Sequence, residues 1–265
     1  MRVVVINLKK ETRRFERIST LAEGCGFRIE RVEAVDGRDP ENRELISRHR
    51  RRYSLRPPVS DTDIACALSH RKAWKLLLDS DDRWLAVFED DVHFGNDVAA
   101  LFDESWIPPQ IDLIKLETLM QRGSLGLVPI TSVGDRHLHR LGGSNLGTGG
   151  YLISRLAAEF LMKMTESMDL PVDSVMFDRR GAVMRRLAVH QIVPAACIQE
   201  CILAGVQGRA DALPSAMIRP AVPARPAWQR FAARVVRGVS NFWSFVVRKG
   251  PPEEPMGKEG VIPFA

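Results

Sequence analysis

The sequence predicts an α/β protein, on three observations. The chain opens with a β-branched run, Val3 to Leu8, followed by apolar residues at helical spacing and then a second apolar run. Two later apolar runs, Trp84 to Phe88 and Ile111 to Leu116, each end abruptly in acid, at Glu89-Asp90-Asp91 and at Glu117. The 265 residues are 45% hydrophobic and 27% charged, enough to bury one large core without disulfide or metal staples. This composition excludes collagenous, disulfide-scaffold and wholly disordered chains.

Each element follows from local pattern. After the first strand, Thr12, Phe15, Ile18, Leu21 and Ala22 trace a helix that Gly24 and Gly26 stop, and Phe27 to Val35 forms the second strand before Asp36-Gly37. This β-α-β alternation predicts parallel neighbours. Arg43 to Arg56 carries six arginines and His49 ahead of Pro57-Pro58 and reads as a solvated loop, long enough to meet a phosphorylated acceptor. Ser60 and Asp63 have capping-box spacing, and the apolar positions from Ile64 to Leu78 extend one helix behind them. Gly123 to Gly147 reads as glycine-rich and irregular, Tyr151 to Ile153 as a strand, Arg155 to Met164 as a helix, and Pro171-Val172-Asp173 as the start of a further segment. Val189 to Ile198 closes the body around Pro194.

The formal charge of +5 lies in the tail: residues 205–265 hold nine Lys/Arg and four Asp/Glu, and the body holds 29 of each. A neutral body without zinc-finger spacing or aromatic RNA-binding motif excludes nucleic acid as the partner. The domain division is therefore a body, 1–204, and a Pro/Ala/Arg linker with a basic tail, 205–265. In the tail, Phe231, Val235, Val239, Phe242, Trp243 and Val246 share one helical side, and Arg230, Arg234, Arg237 and Arg248 the other. That pattern is a C-terminal amphipathic helix lying on an anionic membrane surface; the alternative is a helix docked on protein. The apolar N-terminal run is too short for a signal core, and no stretch of 18 apolar residues follows, so the expected location is cytoplasmic, peripheral on the cytoplasmic face of the membrane. Cys25, Cys66, Cys197 and Cys201 read as free thiols, with Cys197 and Cys201 a remote zinc pair. His137 and His139 alternate as on a strand but have no third ligand nearby.

Three adjacent carboxylates at a strand's carboxyl end need a counter-charge, and hard oxygens suit Mg2+ or Mn2+ bridging a diphosphate. A solvated acidic turn is the alternative. Several separated blocks favour the site. Val4-Val5-Ile6-Asn7-Leu8 with Thr12-Arg13-Arg14, Ala34-Val35-Asp36-Gly37, Asp63-Ile64-Ala65-Cys66-Ala67-Leu68-Ser69-His70, Phe88-Glu89-Asp90-Asp91-Val92, Asp112 to Thr118, Gly147 to Ser154 and Pro171-Val172-Asp173 stand in this order. Together they resemble glycosyltransferase family 25, the lipopolysaccharide-biosynthesis group. Thr62-Asp63 and Ala65 depart from that family's pattern at the helix entry.

The resemblance implies a GT-A-like nucleotide-diphospho-sugar transferase, a Rossmann-like mixed sheet flanked by helices. It implies a UDP-sugar donor, with galactose the transferred hexose, a lipooligosaccharide or other surface-glycan acceptor, and inversion at the anomeric carbon. The metal ligands would be Glu89 and Asp91. Asn7, Arg13, Asp36, Gly37, His70, Asp90 and Gly149 would contact the donor. An inverting transfer needs one carboxylate as base, and the candidates are Asp173 and Glu117. A non-catalytic nucleotide-sugar or glycan-binding module is the rival.

Overall fold

The computed structural model describes residues 1–54, 56, 58–209 and 260–265. In chain order the strands are β1 (Arg2–Asn7), β2 (Glu30–Glu33), β3 (Trp84–Glu89), β4 (Val92–Phe94), β5 (Leu113–Lys115), β6 (Glu117–Thr118), β7 (Arg122–Gly123), β8 (Thr131–Val133), β9 (Arg136–Arg140), β10 (Gly150–Ser154), β11 (Val189–Val193), β12 (Cys197–Gln199) and β13 (Gly260–Val261). The helices are α1 (Thr12–Gly24), α2 (Arg43–His49), α3 (Asp61–Leu78), α4 (Arg155–Met164), α5 (Val172–Phe177), α6 (Ala182–Arg186) and α7 (Glu200–Gln207).

The main sheet has eight strands in the order β2-β1-β3-β10-β5-β11-β9-β8. β1 is parallel to both β2 and β3, as the opening alternation predicts. β10 then runs antiparallel between β3 and β5, which makes the sheet mixed. Because β10 starts opposite Phe88, the glycine run before it arrives at the carboxyl end of β3, where the acidic turn stands. A smaller sheet, β4-β12-β6, continues from that end.

Side chains alternate across the strands and bury two cores. Val4, Ile6, Leu85 and Val87 pack under α3, α4, α5 and α6 with Trp74, Leu161 and Phe177. Val3, Val5, Ala86 and Phe88 pack on the other face with Ile18 of α1 and with Leu101 and Phe102. The capping box forms as expected: the Ser60 hydroxyl accepts from the Asp63 amide at 3.1 Å and the Asp63 carboxylate accepts from the Ser60 amide at 3.3 Å.

Two sequence expectations are corrected. Arg43 to His49 is helical rather than loop, because Ile46 buries a face and the charges suit the helix ends, with Glu44 in the first turn and Arg48 and His49 in the last. Within the stretch expected to be irregular, β8 and β9 form a hairpin across Gly134, whose φ of +54° suits glycine. Their short, polar sequences carry little hydrophobic signal.

Helix α7 runs past residue 204, and residues 260–265 return to the body. β13 pairs with β7, Ile262 O accepts from the Thr118 hydroxyl at 2.6 Å, and Ala265 O accepts from Arg136 at 2.8 Å. The expected amphipathic helix lies outside the described residues. Among the described residues, no helix is long and apolar enough to cross a membrane.

Candidate functional site

The site gathers where β1 and β3 end and where β5 passes into β6. Asn7, the last residue of β1, donates from Nδ2 to Asp90 Oδ2 at 2.6 Å, and Arg14 donates from Nη1 to Asp90 Oδ1 at 2.7 Å. Both oxygens of Asp90 are thus engaged. Burial raises the Asp90 carboxyl above its usual range, with the Arg14 charge and the Asn7 bond opposing. Arg14 is the partner because it lies one turn before buried Ile18 on α1, whereas neighbouring Arg13 is exposed.

Glu89 is held from two sides. Its Oε1 accepts from the Thr148 hydroxyl at 2.6 Å and stands 3.4 Å from His70 Nε2, and its Oε2 accepts from Gln199 at 3.4 Å. Burial pushes its carboxyl up, but the hydrogen bond and charge of His70, with Thr148, outweigh burial and leave it below its ordinary value. His70 therefore holds the acidic turn, one of the two roles open to it from sequence.

Asp91 is the exception. Its Oδ1 is buried without a hydrogen-bond partner, and the nearest guanidinium contact, Arg14 Nη2 to Oδ2, is 4.0 Å. Burial, then the charges of Glu89 and Asp90, push its carboxyl up to about 8. A buried carboxylate with a spare oxygen among like charges is the arrangement a cation relieves. By that test the acidic turn fits a divalent metal, with Asp91 rather than Asp90 offering the oxygen.

Glu117 and Lys115 form a wholly buried pair, Nζ to Oε2 at 2.9 Å. Lys115 also donates to Gly147 O at 2.6 Å and lies over the Phe177 ring at 4.6 Å. Glu117 Oε2 accepts from the Gly149 amide at 3.0 Å, and its Oε1 is buried without a partner. A Cβ at residue 149 would fall 2.6 Å from Glu117 Oε1, so glycine is needed there by close approach. Burial raises the Glu117 carboxyl, with the Lys115 charge opposing. Lysine inside an apolar strand, two residues from an acid on the same face, was a legible signal for this pair.

The remaining candidates sit apart from these bonds. Asp36 is paired with Lys10 and caps the Arg38 amide at 3.0 Å. Gly37 abuts α3, where a Cβ would stand 2.8 Å from Thr62 Cα. Asp173, in the first turn of α5, is buried and accepts from the Ser174 amide at 2.6 Å. His137 and His139 bond Ser132 and Gly126 O at 2.7 and 2.9 Å. Behind the acidic turn, Glu200 is 4% exposed and bonds Arg17 at 3.0 Å, Arg209 at 2.9 Å and His93, while its amide donates to Asp91 O at 2.7 Å. Sequence reasoning weighed Arg14 beside Arg13 as a diphosphate contact and passed over Lys115, Thr148 and Glu200.

Strand-end carboxylates, two of them with a buried oxygen that no hydrogen bond satisfies, mark the carboxyl edge of the sheet of this α/β protein as its candidate site. The model of glycosyltransferase family 25 (LPS biosynthesis protein) matches residues 1–176, and the chain belongs to that family of transferase enzymes. It is 31% identical over 176 residues to the lacto-N-neotetraose biosynthesis glycosyltransferase LgtB of Neisseria gonorrhoeae, covering 61% of each chain. Its identity with LgtB of Neisseria meningitidis serogroup B is 26% over 231 residues, 80% of this chain and 81% of that one. Among the curated relatives it matches, the chain spans little more than half of LgtE of Neisseria gonorrhoeae, 56% of that length at 29% identity over 56% of this chain. A solved glycosyltransferase involved in the glycosylation of the major capsid of PBCV-1 aligns with a TM-score of 0.44 and 12% identity, over 75% of this chain and 91% of that one.

Proposed function

We propose that this chain is a GT-A-like glycosyltransferase that moves galactose from UDP-galactose to a lipooligosaccharide or lipopolysaccharide acceptor, with inversion. The observation that carries the reading is the buried, unpartnered Oδ1 of Asp91 at the end of β3. Asp91 and Glu89 would hold Mg2+ or Mn2+, which when bound supplies positive charge to the departing diphosphate. Asp90 stays with Asn7 and Arg14 and fixes the turn that presents its two neighbours.

Asp173 is the proposed base. The acceptor oxygen attacks the anomeric carbon as the bond to UDP breaks, UDP leaves with the electron pair, and the hydroxyl proton passes to the Asp173 carboxylate. Glu117, held by Lys115 and the Gly149 amide, positions the Gly147 to Gly149 loop so that the Thr148 hydroxyl meets Glu89. His70 holds Glu89 from behind. Donor contacts by Arg13, Asp36, Gly37 and Gly149 belong to the same proposal, as does membrane attachment through Trp228 to Arg248 on the cytoplasmic face.

The test is thermal stability of the full chain with UDP-galactose, UDP-glucose, UDP-N-acetylhexosamines, GDP-sugars and CMP-sugars, each with Mn2+ and with chelator. A donor at a hundred times its Kd stabilises by about 2.7 kcal/mol. The expected result is a Mn2+-dependent rise with UDP-galactose that Asp91→Asn removes. The rise should grow as pH approaches 8, since the proton held by Asp91 must leave before a cation binds. No rise with any nucleotide sugar overturns the reading, and binding without UDP release in the presence of acceptor turns it into the binding-module alternative.

A further inference from the structure

Cys66 and His70 stand four residues apart on α3, so one helical turn brings them to the same face. That face meets the end of β3. The Cys66 sulfur, an imidazole nitrogen of His70 and a carboxylate oxygen of Glu89 all lie within 4.8 Å of one another, and His70 is 1% exposed. Among the described residues, this is the group of three whose donor atoms converge, and it differs in kind from the all-oxygen acidic turn. Sulfur, nitrogen and oxygen donors together suit zinc-class cations and not magnesium or calcium.

The far side of His70 is already arranged for such a role. Its Nδ1 lies 2.8 Å from the Tyr151 hydroxyl, and that oxygen also receives the Trp74 indole N–H at 2.9 Å. An indole N–H only donates, so the tyrosine oxygen accepts there and has a second lone pair for Nδ1–H of His70. With metal bound, that tautomer would turn the Nε2 lone pair toward Cys66 and Glu89, in place of the N–H that bonds Glu89 without metal. Metal-binding histidines are commonly oriented by such an outer hydrogen bond.

We propose that Cys66, His70 and Glu89 form a site for a zinc-class cation. Binding displaces the thiol proton of Cys66 and the Nε2 proton that His70 otherwise gives to Glu89, both passing to solvent, and leaves thiolate, neutral imidazole and carboxylate as ligands with a fourth position for water. Glu89 belongs to this site and to the acidic turn. Zinc bound here therefore competes with the manganese-supported donor binding proposed above, and this consequence alone rests on that reading.

The experiment uses the full chain and Co2+ as a spectroscopic stand-in for zinc. Expected are one cobalt per chain, a thiolate-to-cobalt charge-transfer band in the near ultraviolet, and loss of that band on adding Zn2+. Cys66→Ser should abolish the band, Cys201→Ser should keep it, and Tyr151→Phe should weaken cobalt affinity by roughly 10- to 100-fold. In the wild type, Zn2+ should also shield Cys66 from iodoacetamide, read by peptide mass, so the result does not depend on a variant folding. Absence of the band, its survival in Cys66→Ser, or equal alkylation of Cys66 with and without Zn2+ overturns the proposal. The UDP-galactose measurement with Mn2+ is read separately, so either idea can fail while the other stands.

Discussion

A buried glutamate and a cluster of acids lie back to back, joined by the 2.7 Å bond from the Glu200 amide to Asp91 O, and their surroundings are built in opposite ways. Around Glu200, Arg17, Arg209 and His93 engage one carboxylate. In front of it, Glu89, Asp90, Asp91 and Glu117 crowd together, and Asp91 and Glu117 each keep a buried oxygen without a partner. The first is closed by the protein itself. The second keeps buried oxygens that folding leaves unsatisfied, which is what separates a candidate ligand site from a structural ion pair.

Substitutions can break this contrast, and the largest effect belongs to the sealed pair at the edge of the open cluster. Lys115→Met keeps the side-chain volume but strands Glu117, and should cost about 3–5 kcal/mol in chemical denaturation, while adding Glu117→Gln should restore most of it. A Lys115→Met loss near zero would mean that Glu117 does not depend on that lysine.

Glu200→Gln comes next. Burial raises the Glu200 carboxyl, but the bond and charge of His93 and the charges of Arg17 and Arg209 bring it below its ordinary value. A depressed carboxylate adds stability above its unfolded pKa and loses it as pH falls through the folded one. The wild type should therefore exceed the variant by about 1.5–3 kcal/mol at pH 7, and the gap in thermal midpoint should close as pH falls below the ordinary carboxylate range. A gap independent of pH would assign the effect to packing. Smallest is Arg209→Ala: its side chain is 41% exposed, so a loss of about 0–1 kcal/mol is expected, falling further in high salt.

Legibility in the sequence followed the strength of local rules. β1, β3 and α3 were readable because a β-branched run, an acid-terminated apolar run and a capping box are each decided within a few residues. The direction of β10 was not, since an apolar strand has the same composition whichever way it runs. In the site, Asn7, Glu89, Asp90, Asp91 and His70 were found and are brought together. Arg13 and Arg14 were not told apart, because helical phase, visible only relative to Ile18, decides which neighbour turns inward. Glu200 was missed because its partners Arg17 and His93 lie more than a hundred residues away in sequence.

The return of residues 260–265 to the body changes what the intervening segment can tolerate. The described chain breaks off after α7 and resumes at β13, and fixing both ends across the fifty residues between them carries a closure cost. Closure cost grows only logarithmically: doubling such a length adds about 0.6 kcal/mol, less than one well-made hydrogen bond. Changing the length of the intervening stretch therefore costs the fold little. The anchor is less tolerant, because a Cβ at Gly95 would lie 1.6 Å from Ala265 O, so only glycine fits against the returning segment.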